Sequence, residues 1–151
     1  MGDYLETLKG NLRDLMATQK LAVLATYAGA QPYTSLVAFA ETADLKKIFF
    51  ATTRVTRKYA NLKTNSRVAL LMDNRSNQTS DFRKAMAATA FGTAREVGDT
   101  EKEDALKIYL AKHPYLNDFV TSPTCALLQV TVERYSMVHR FQNVMEVSLG
   151  P

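Results

Sequence analysis

Two consecutive stretches that are apolar on both faces restrict this chain more than any other feature: Leu21-Ala22-Val23-Leu24-Ala25-Thr26-Tyr27 and Tyr33-Thr34-Ser35-Leu36-Val37-Ala38-Phe39-Ala40. Only Ala28-Gly29-Ala30-Gln31 separates them, so they read as the arms of a β-hairpin. A strand with one wet face alternates apolar and polar residues, and these do not. One face should therefore meet a barrel core, and the other a helix, a ligand or another subunit.

The remaining elements follow from local signals. Asp3 and Glu6 have capping-box spacing, and Leu5, Leu8, Leu12, Leu15 and Met16 recur at helical spacing. They predict an amphipathic helix over residues 1–18, weakened at Gly10 by roughly 1 kcal/mol relative to alanine, that packs on the barrel. Lys47–Thr52 is a third strand, Arg67–Met72 a fourth, and Asp73–Asp81 a polar loop. Ala85–Glu96 is a fifth strand whose small residues Ala88, Ala90, Gly92 and Ala94 share one face, as close approach across a bent barrel or a subunit contact requires. Thr100 and Glu103 form a second capping box, for a helix that ends before Pro114 and leaves His113 as a satisfied surface residue at its C-terminus. Ala126–Val138 alternates and then breaks phase near Arg134-Tyr135, as a bulge would cause. Hairpins dominate over βαβ units, so the expectation is a mainly β fold with peripheral helices: a closed or nearly closed six-stranded antiparallel barrel.

At 151 residues and 46% hydrophobic, the chain is expected to form a single domain over residues 1–151. No apolar run approaches the roughly 20 residues that span a bilayer, and Met1-Gly2-Asp3-Tyr4-Leu5-Glu6 lacks the order of a signal peptide. A cytoplasmic location is the expectation, with no membrane partner. The single cysteine, Cys125, has no internal disulfide partner and reads as a small core residue at the start of a strand.

Directly after the third strand stands Thr52-Thr53-Arg54-Val55-Thr56-Arg57-Lys58, three hydroxyls and three cations in one turn. From Leu45 through Met72 there is no Asp or Glu, while Lys46, Lys47, Arg54, Arg57, Lys58, Lys63 and Arg67 all fall inside. A solvated basic face is the ordinary reading of such a run. Thr56, however, is placed to cap a helix over Arg57 to about Asn65, which puts Arg57 and Lys58 in its first turn. A cation there opposes the macrodipole by roughly 0.3–1 kcal/mol. A phosphate resolves that conflict, because it accepts from the free helix N–H groups, the threonines and the two cations together.

Side-chain catalysis has little to work with. There is no nucleophile elbow, no His-Glu-x-x-His and no phosphate-binding glycine loop, and His113 and His139 alone build no metal site. Catalytic residues are not identifiable, and an enzyme of this composition needs a bound cofactor to carry its chemistry.

The order of an apolar hairpin, then Ile48-Phe49-Phe50-Ala51-Thr52-Thr53-Arg54-Val55-Thr56-Arg57-Lys58-Tyr59-Ala60-Asn61-Leu62, then Arg67-Val68-Ala69-Leu70-Leu71-Met72-Asp73, resembles the pyridoxamine 5'-phosphate oxidase-like family of FMN-binding split barrels. The resemblance runs from about Leu12 to Val147. It implies a split-barrel homodimer with FMN in clefts at the subunit interface, and an oxidoreductase acting on an unknown small substrate. Carried onto matching positions, Thr56, Arg57 and Lys58 hold the FMN phosphate, with Thr52 and Thr53 beside them. Ser35, Leu36, Val37 and Ala38 lie along the ring system and offer backbone groups to its pyrimidine side. Asn74 and Gln78, otherwise ordinary turn formers, and Phe141 and Gln142, of which Phe141 reads otherwise as core, are further contacts that could come from the partner subunit. The true oxidases end in a segment that supplies arginine and histidine to pyridoxamine phosphate. This chain stops soon after Met145-Glu146-Val147, which tells against that oxidation and leaves flavin binding untouched. A deazaflavin or haem in the same cleft is the alternative. A basic barrel that touches nucleic-acid phosphates or a protein partner ranks below both, because Tyr59 is the only obvious stacking aromatic near the cations. The net charge of +4 permits attraction to nucleic acid or to an anionic ligand and is too mild to decide between them.

Overall fold

The computed structural model describes residues 2–140 and 143–149. Six strands run antiparallel to their neighbours and close a ring: β1 (Leu21–Ala28), β2 (Gln31–Glu41), β3 (Lys47–Thr53), β4 (Arg67–Asp73), β5 (Met86–Glu96) and β6 (Cys125–His139). Their order is β3-β2-β1-β4-β5-β6, and β6 pairs back onto β3. The expected barrel is therefore the one found, with one extra strand, β7 (Asn143–Ser148), paired to the second half of β6.

Closure depends on the length of β6. Its first half, Cys125–Thr131, pairs with β3, whereas Arg134–His139 has left β3 and holds β7. The change of course occurs at a bulge, where Phe91 pairs with Arg134 but Gly92 with Val132, so that Glu133 is the extra residue. The phase break expected at Arg134-Tyr135 thus lies just before it. Gly92 explains the row of small residues on β5: a Cβ there would strike the backbone carbonyl of Thr131. The close approach is to the neighbouring strand β6 at the bulge, while Ala88, Ala90 and Ala94 face the barrel core.

The hairpin apolar on both faces is present, in full register from Leu21↔Ala38 to Ala28↔Gln31. Its inner side, Ala22, Leu24, Val37 and Phe39, joins Phe50, Leu70, Met72, Val130 and Tyr135 in the main core. The first helix, α1 (Gly2–Thr18), adds Leu8, Leu12, Leu15 and Met16 to that core. It begins before Asp3, so Asp3 lies within the helix and its carbonyl accepts from the Thr7 hydroxyl. A second cluster lies outside the barrel, where Phe49, Ala51, Cys125 and Leu127 meet Ala105, Tyr109 and Val120. Those three come from α4 (Lys102–Lys112) and α5 (Asn117–Val120), which follow the short α2 (Arg57–Thr64) and α3 (Asp81–Lys84). Cys125 is buried at the start of β6, as expected.

Two expectations about α4 need correction. The residue at its cap is Glu101 and makes no side-chain cap bond, so the Thr100–Glu103 box does not form. His113 is not on the surface but 6% exposed, with Nε2 2.6 Å from the carbonyl oxygen of Phe39. Tyr109, one helical turn earlier on the same face, donates its hydroxyl to Ala38 O at 3.1 Å. The docking of α4 onto β2 is what buries His113, and a local pattern does not encode it.

The Gly92 packing predicts that Gly92→Ala lowers the unfolding free energy by about 1–3 kcal/mol, read from the urea midpoint. Gly10→Ala, where a Cβ would meet nothing within 4 Å, should raise it by roughly 0.5–1 kcal/mol.

Candidate functional site

β2 and β3 pair only through Phe39–Glu41 and Ile48–Phe50. Beyond Phe39 the two strands part, although β2 continues with β1 and β3 continues with β6 as far as Thr53. Phe39 N–H donates to Lys20 O on the β1 side, so by the alternation of an antiparallel ladder Leu36 and Ala38 turn their backbone groups toward the opening. No β3 residue pairs with them there. The Ala38 carbonyl is already taken by Tyr109, which leaves Leu36 with free backbone groups along that edge.

The turn that leaves β3 is tightly built. The Thr52 and Thr56 hydroxyls lie 2.8 Å apart and 3.0 and 3.2 Å from Thr53 O, so that one donates to the other and the second donates to that carbonyl. Thr56 has extended backbone angles and its Oγ1 accepts from Tyr59 N at 3.3 Å, the N-cap expected of it. Ala60 N–H bonds back to Thr56 O. The amides of Arg57 and Lys58 therefore remain as the uncapped donors of the first turn. Thr52 is buried and stands behind the turn as a brace, whereas Thr53 is partly exposed beside it. Asn61, also buried, donates to Thr26 Oγ1 at 3.0 Å and ties α2 to β1.

Acidic residues from distant segments sort the cations. Arg54 Nη2 is 2.7 Å from Glu96 Oε2, and its Nη1 donates to Pro123 O at 2.9 Å. Arg67 lies 3.7 Å from Glu133. Arg57 and Lys58 make no hydrogen bond or ion pair with the described residues, so they are the two cations left to an anion at the start of α2. Burial pushes the Glu96 carboxyl up, but the bonds from Arg54 and Tyr59 outweigh it and hold the carboxyl below the ordinary glutamate value. Glu96 was not singled out in the sequence, and no sequence signal could have found it: it lies 42 residues from Arg54.

The structure brings the turn and the open edge of β2 to the same split. On β2, Leu36 is 64% exposed, and Ser35 carries a buried hydroxyl with no partner. Val37 points into the core. A cavity of about 310 Å³ runs over the outer face beside Leu36, lined also by Leu21, Val23, Leu71, Lys20 and Asp73. Asn74 is placed elsewhere, beside Leu15 and Thr18 of α1, and its Oδ1 accepts from Met86 N at 2.7 Å to extend the β4–β5 ladder. Gln78 is exposed in a loop held by Asp81, which accepts from Ser76 and Asn77. Within one chain neither reaches the turn after β3. Phe141 and Gln142 lie outside the described residues. Among the described residues no cluster of three potential metal ligands exists, and no helix is long and apolar enough to cross a membrane.

Comparison with solved structures shows the same fold at low identity. A haem-binding protein from Mycobacterium smegmatis superposes with a TM-score of 0.80 at 15% identity, over 90% of this chain and 55% of its own, so the chain spans just over half of that protein. A protein from Clostridium acetobutylicum related to general stress protein 26 of B. subtilis and described as of the pyridoxinephosphate oxidase family gives 0.74 at 17% identity, over 95% and 96%. An FAD-binding protein from Mesorhizobium loti gives 0.67 at 14% identity, over 84% and 91%. No curated protein matches the sequence. The sequence profile described as pyridoxamine 5'-phosphate oxidase matches residues 8–139. With that match over most of its length and with the barrel, the split and the turn in place, the chain belongs to the pyridoxamine 5'-phosphate oxidase family.

Proposed function

We propose that the protein binds FMN at the split between β2 and β3 and works as a flavin-dependent oxidoreductase on a small substrate. The observation that carries this reading is the pair Arg57 and Lys58, left without partners at the start of α2 beside two uncapped backbone amides. A phosphate monoester fits these groups: it accepts from both amides and from the Thr53 hydroxyl, and its charge offsets two cations that otherwise oppose the helix dipole. The open edge at Leu36 fits the ring that such a phosphate carries, while the unpartnered Ser35 hydroxyl lies on the other face of β2, beside Leu24.

The bound flavin would supply the redox chemistry. The residues of the chain do the rest. Arg57 and Lys58 neutralise the phosphate, and the exposed backbone of Leu36 offers a donor to the pyrimidine side, where a fixed N–H stabilises negative charge without reorganisation. The apolar face formed by Leu21, Val23, Leu36 and Leu71 excludes water from one side of the ring. A deazaflavin shares the phosphate chemistry and is distinguished by its absorption spectrum.

The same outer face supports a homodimer. Leu21, Leu36 and Tyr27 are 51%, 64% and 48% exposed on the outer face of the hairpin, and no helix covers them as α4 and α5 cover the outside of β3 and β6. A second copy seated there closes the site and brings Asn74 and Gln78 of the other subunit within its reach.

The purified protein should be yellow and release FMN on heating in a ratio of about one per chain. Arg57→Ala combined with Lys58→Ala should leave the melting temperature near that of the parent and weaken FMN binding roughly 100-fold, the loss of two charge-assisted contacts. Unchanged flavin content in that double variant removes the clamp. For the dimer, Leu21→Glu should shift the sedimentation coefficient to that of a monomer, and an unshifted value rejects this face as the interface.

A further inference from the structure

We propose that Glu96 is a specificity-determining residue of the anion site: it withholds Arg54, so that a phosphate at the start of α2 meets two cations and not three. The inference rests on the clamp reading above.

Arg54, Arg57 and Lys58 leave β3 within five residues, and nothing in their local sequence separates the first from the other two. The tertiary structure does. Glu96, the last residue of β5, takes Arg54 Nη2 on one carboxylate oxygen at 2.7 Å and the Tyr59 hydroxyl on the other at 2.9 Å. Its neighbour Arg95 turns the opposite way, to Glu101 at 3.0 Å, and so does not compete for that carboxylate. Lys63, on the same helix as Tyr59, also faces Glu96 and lies 5.2 Å from the Tyr59 ring centroid.

The carboxylate therefore touches Arg54, two residues before the cap, and Tyr59, the third residue of the helix, while the first and second, Arg57 and Lys58, stay free between them. The turn does not need Glu96 to keep its shape. Thr56 caps α2, Thr52 braces Thr56, and Arg54 N–H donates to Thr124 O at 3.2 Å. The charge of Glu96 is thus separable from the geometry of the site. With Arg54 masked, Arg57 and Lys58 set the charge that the anion meets; with Glu96 neutral, Arg54 adds a third positive charge from the same turn, three residues before Arg57.

Glu96→Gln tests this, because the amide oxygen still accepts from Tyr59 but no longer neutralises Arg54. Titrations with FMN and with riboflavin, which lacks the phosphate, separate the anion site from the ring site. The variant should bind FMN about three- to tenfold more tightly, from one added unit charge in a high-dielectric setting, with riboflavin affinity unchanged. Arg54→Gln with Glu96 intact should weaken FMN by a similar factor, and Arg54→Gln combined with Glu96→Gln should return to the parent value. Unchanged or weaker FMN binding in Glu96→Gln overturns the proposal, as does a double variant as tight as Glu96→Gln alone, which would make Arg54 irrelevant. If the parent protein binds neither FMN nor inorganic phosphate, the clamp reading itself fails, and that result is distinct from any of these.

Discussion

The pairing of β3 with the first half of β6 is the contact on which the rest of this structure depends. It closes the ring, and it holds β3 through Thr53 after β2 has turned away. Without that second partner the end of β3 would be a loose edge, and the turn after it could not hold the cap of α2 in one place. The same strand pays for closure at the bulge, where Glu133 is extruded and β5 must present glycine to the Thr131 carbonyl. The barrel is therefore split on one side because it is zipped on the other.

Around the split, covered and uncovered surfaces divide according to the helices available. α4 and α5 bury the outside of β3 and β6, and α4 also supplies Tyr109 and His113 to carbonyls of β2. A buried carbonyl without a donor is costly, by roughly 1–3 kcal/mol, so these two side chains stabilise β2 next to where its ladder with β3 stops. On β2 that cover ends near Ala38 and Ala40, and beyond it Leu21 of β1 and Leu36 of β2 remain in view. The apolar outer face at Leu21 and Leu36, the unpaired edge of β2 and the two unpaired cations at the start of α2 are the features on which the proposed function rests. Fold and ligand separate in this architecture, since proteins that share it include one described as haem-binding and another as FAD-binding.

Much of this was legible before the structure. The strands β1 to β5 lie within a residue or two of their expected bounds because their apolar periodicity is local, and Thr56 caps α2 because the cap rule involves residues only three apart. β7 escaped notice: it is short, exposed over much of its length, and defined only by its pairing to β6. The two expected capping boxes failed for a related reason, since α1 extends past Asp3 and α4 starts one residue too late for Thr100 to cap it. The small-residue row on β5 left a choice between a bent barrel and a subunit contact, and the burial of Ala88, Ala90 and Ala94 in the main core places it inside the barrel, with Gly92 against the backbone of the neighbouring β6.

By itself the sequence determined the strand and helix pattern, the acid-free basic stretch and the cation pair at the start of α2, because each is written in residues a few positions apart. Tertiary structure alone decided which cations stay free, that His113 is buried, and where the barrel opens. Those outcomes depend on groups that meet only on folding: Glu96 reaches Arg54 across 42 residues and His113 reaches Phe39 across 74. No local propensity carries the position of a distant carboxylate or carbonyl, and electrostatics and hydrogen bonding act on distance in space.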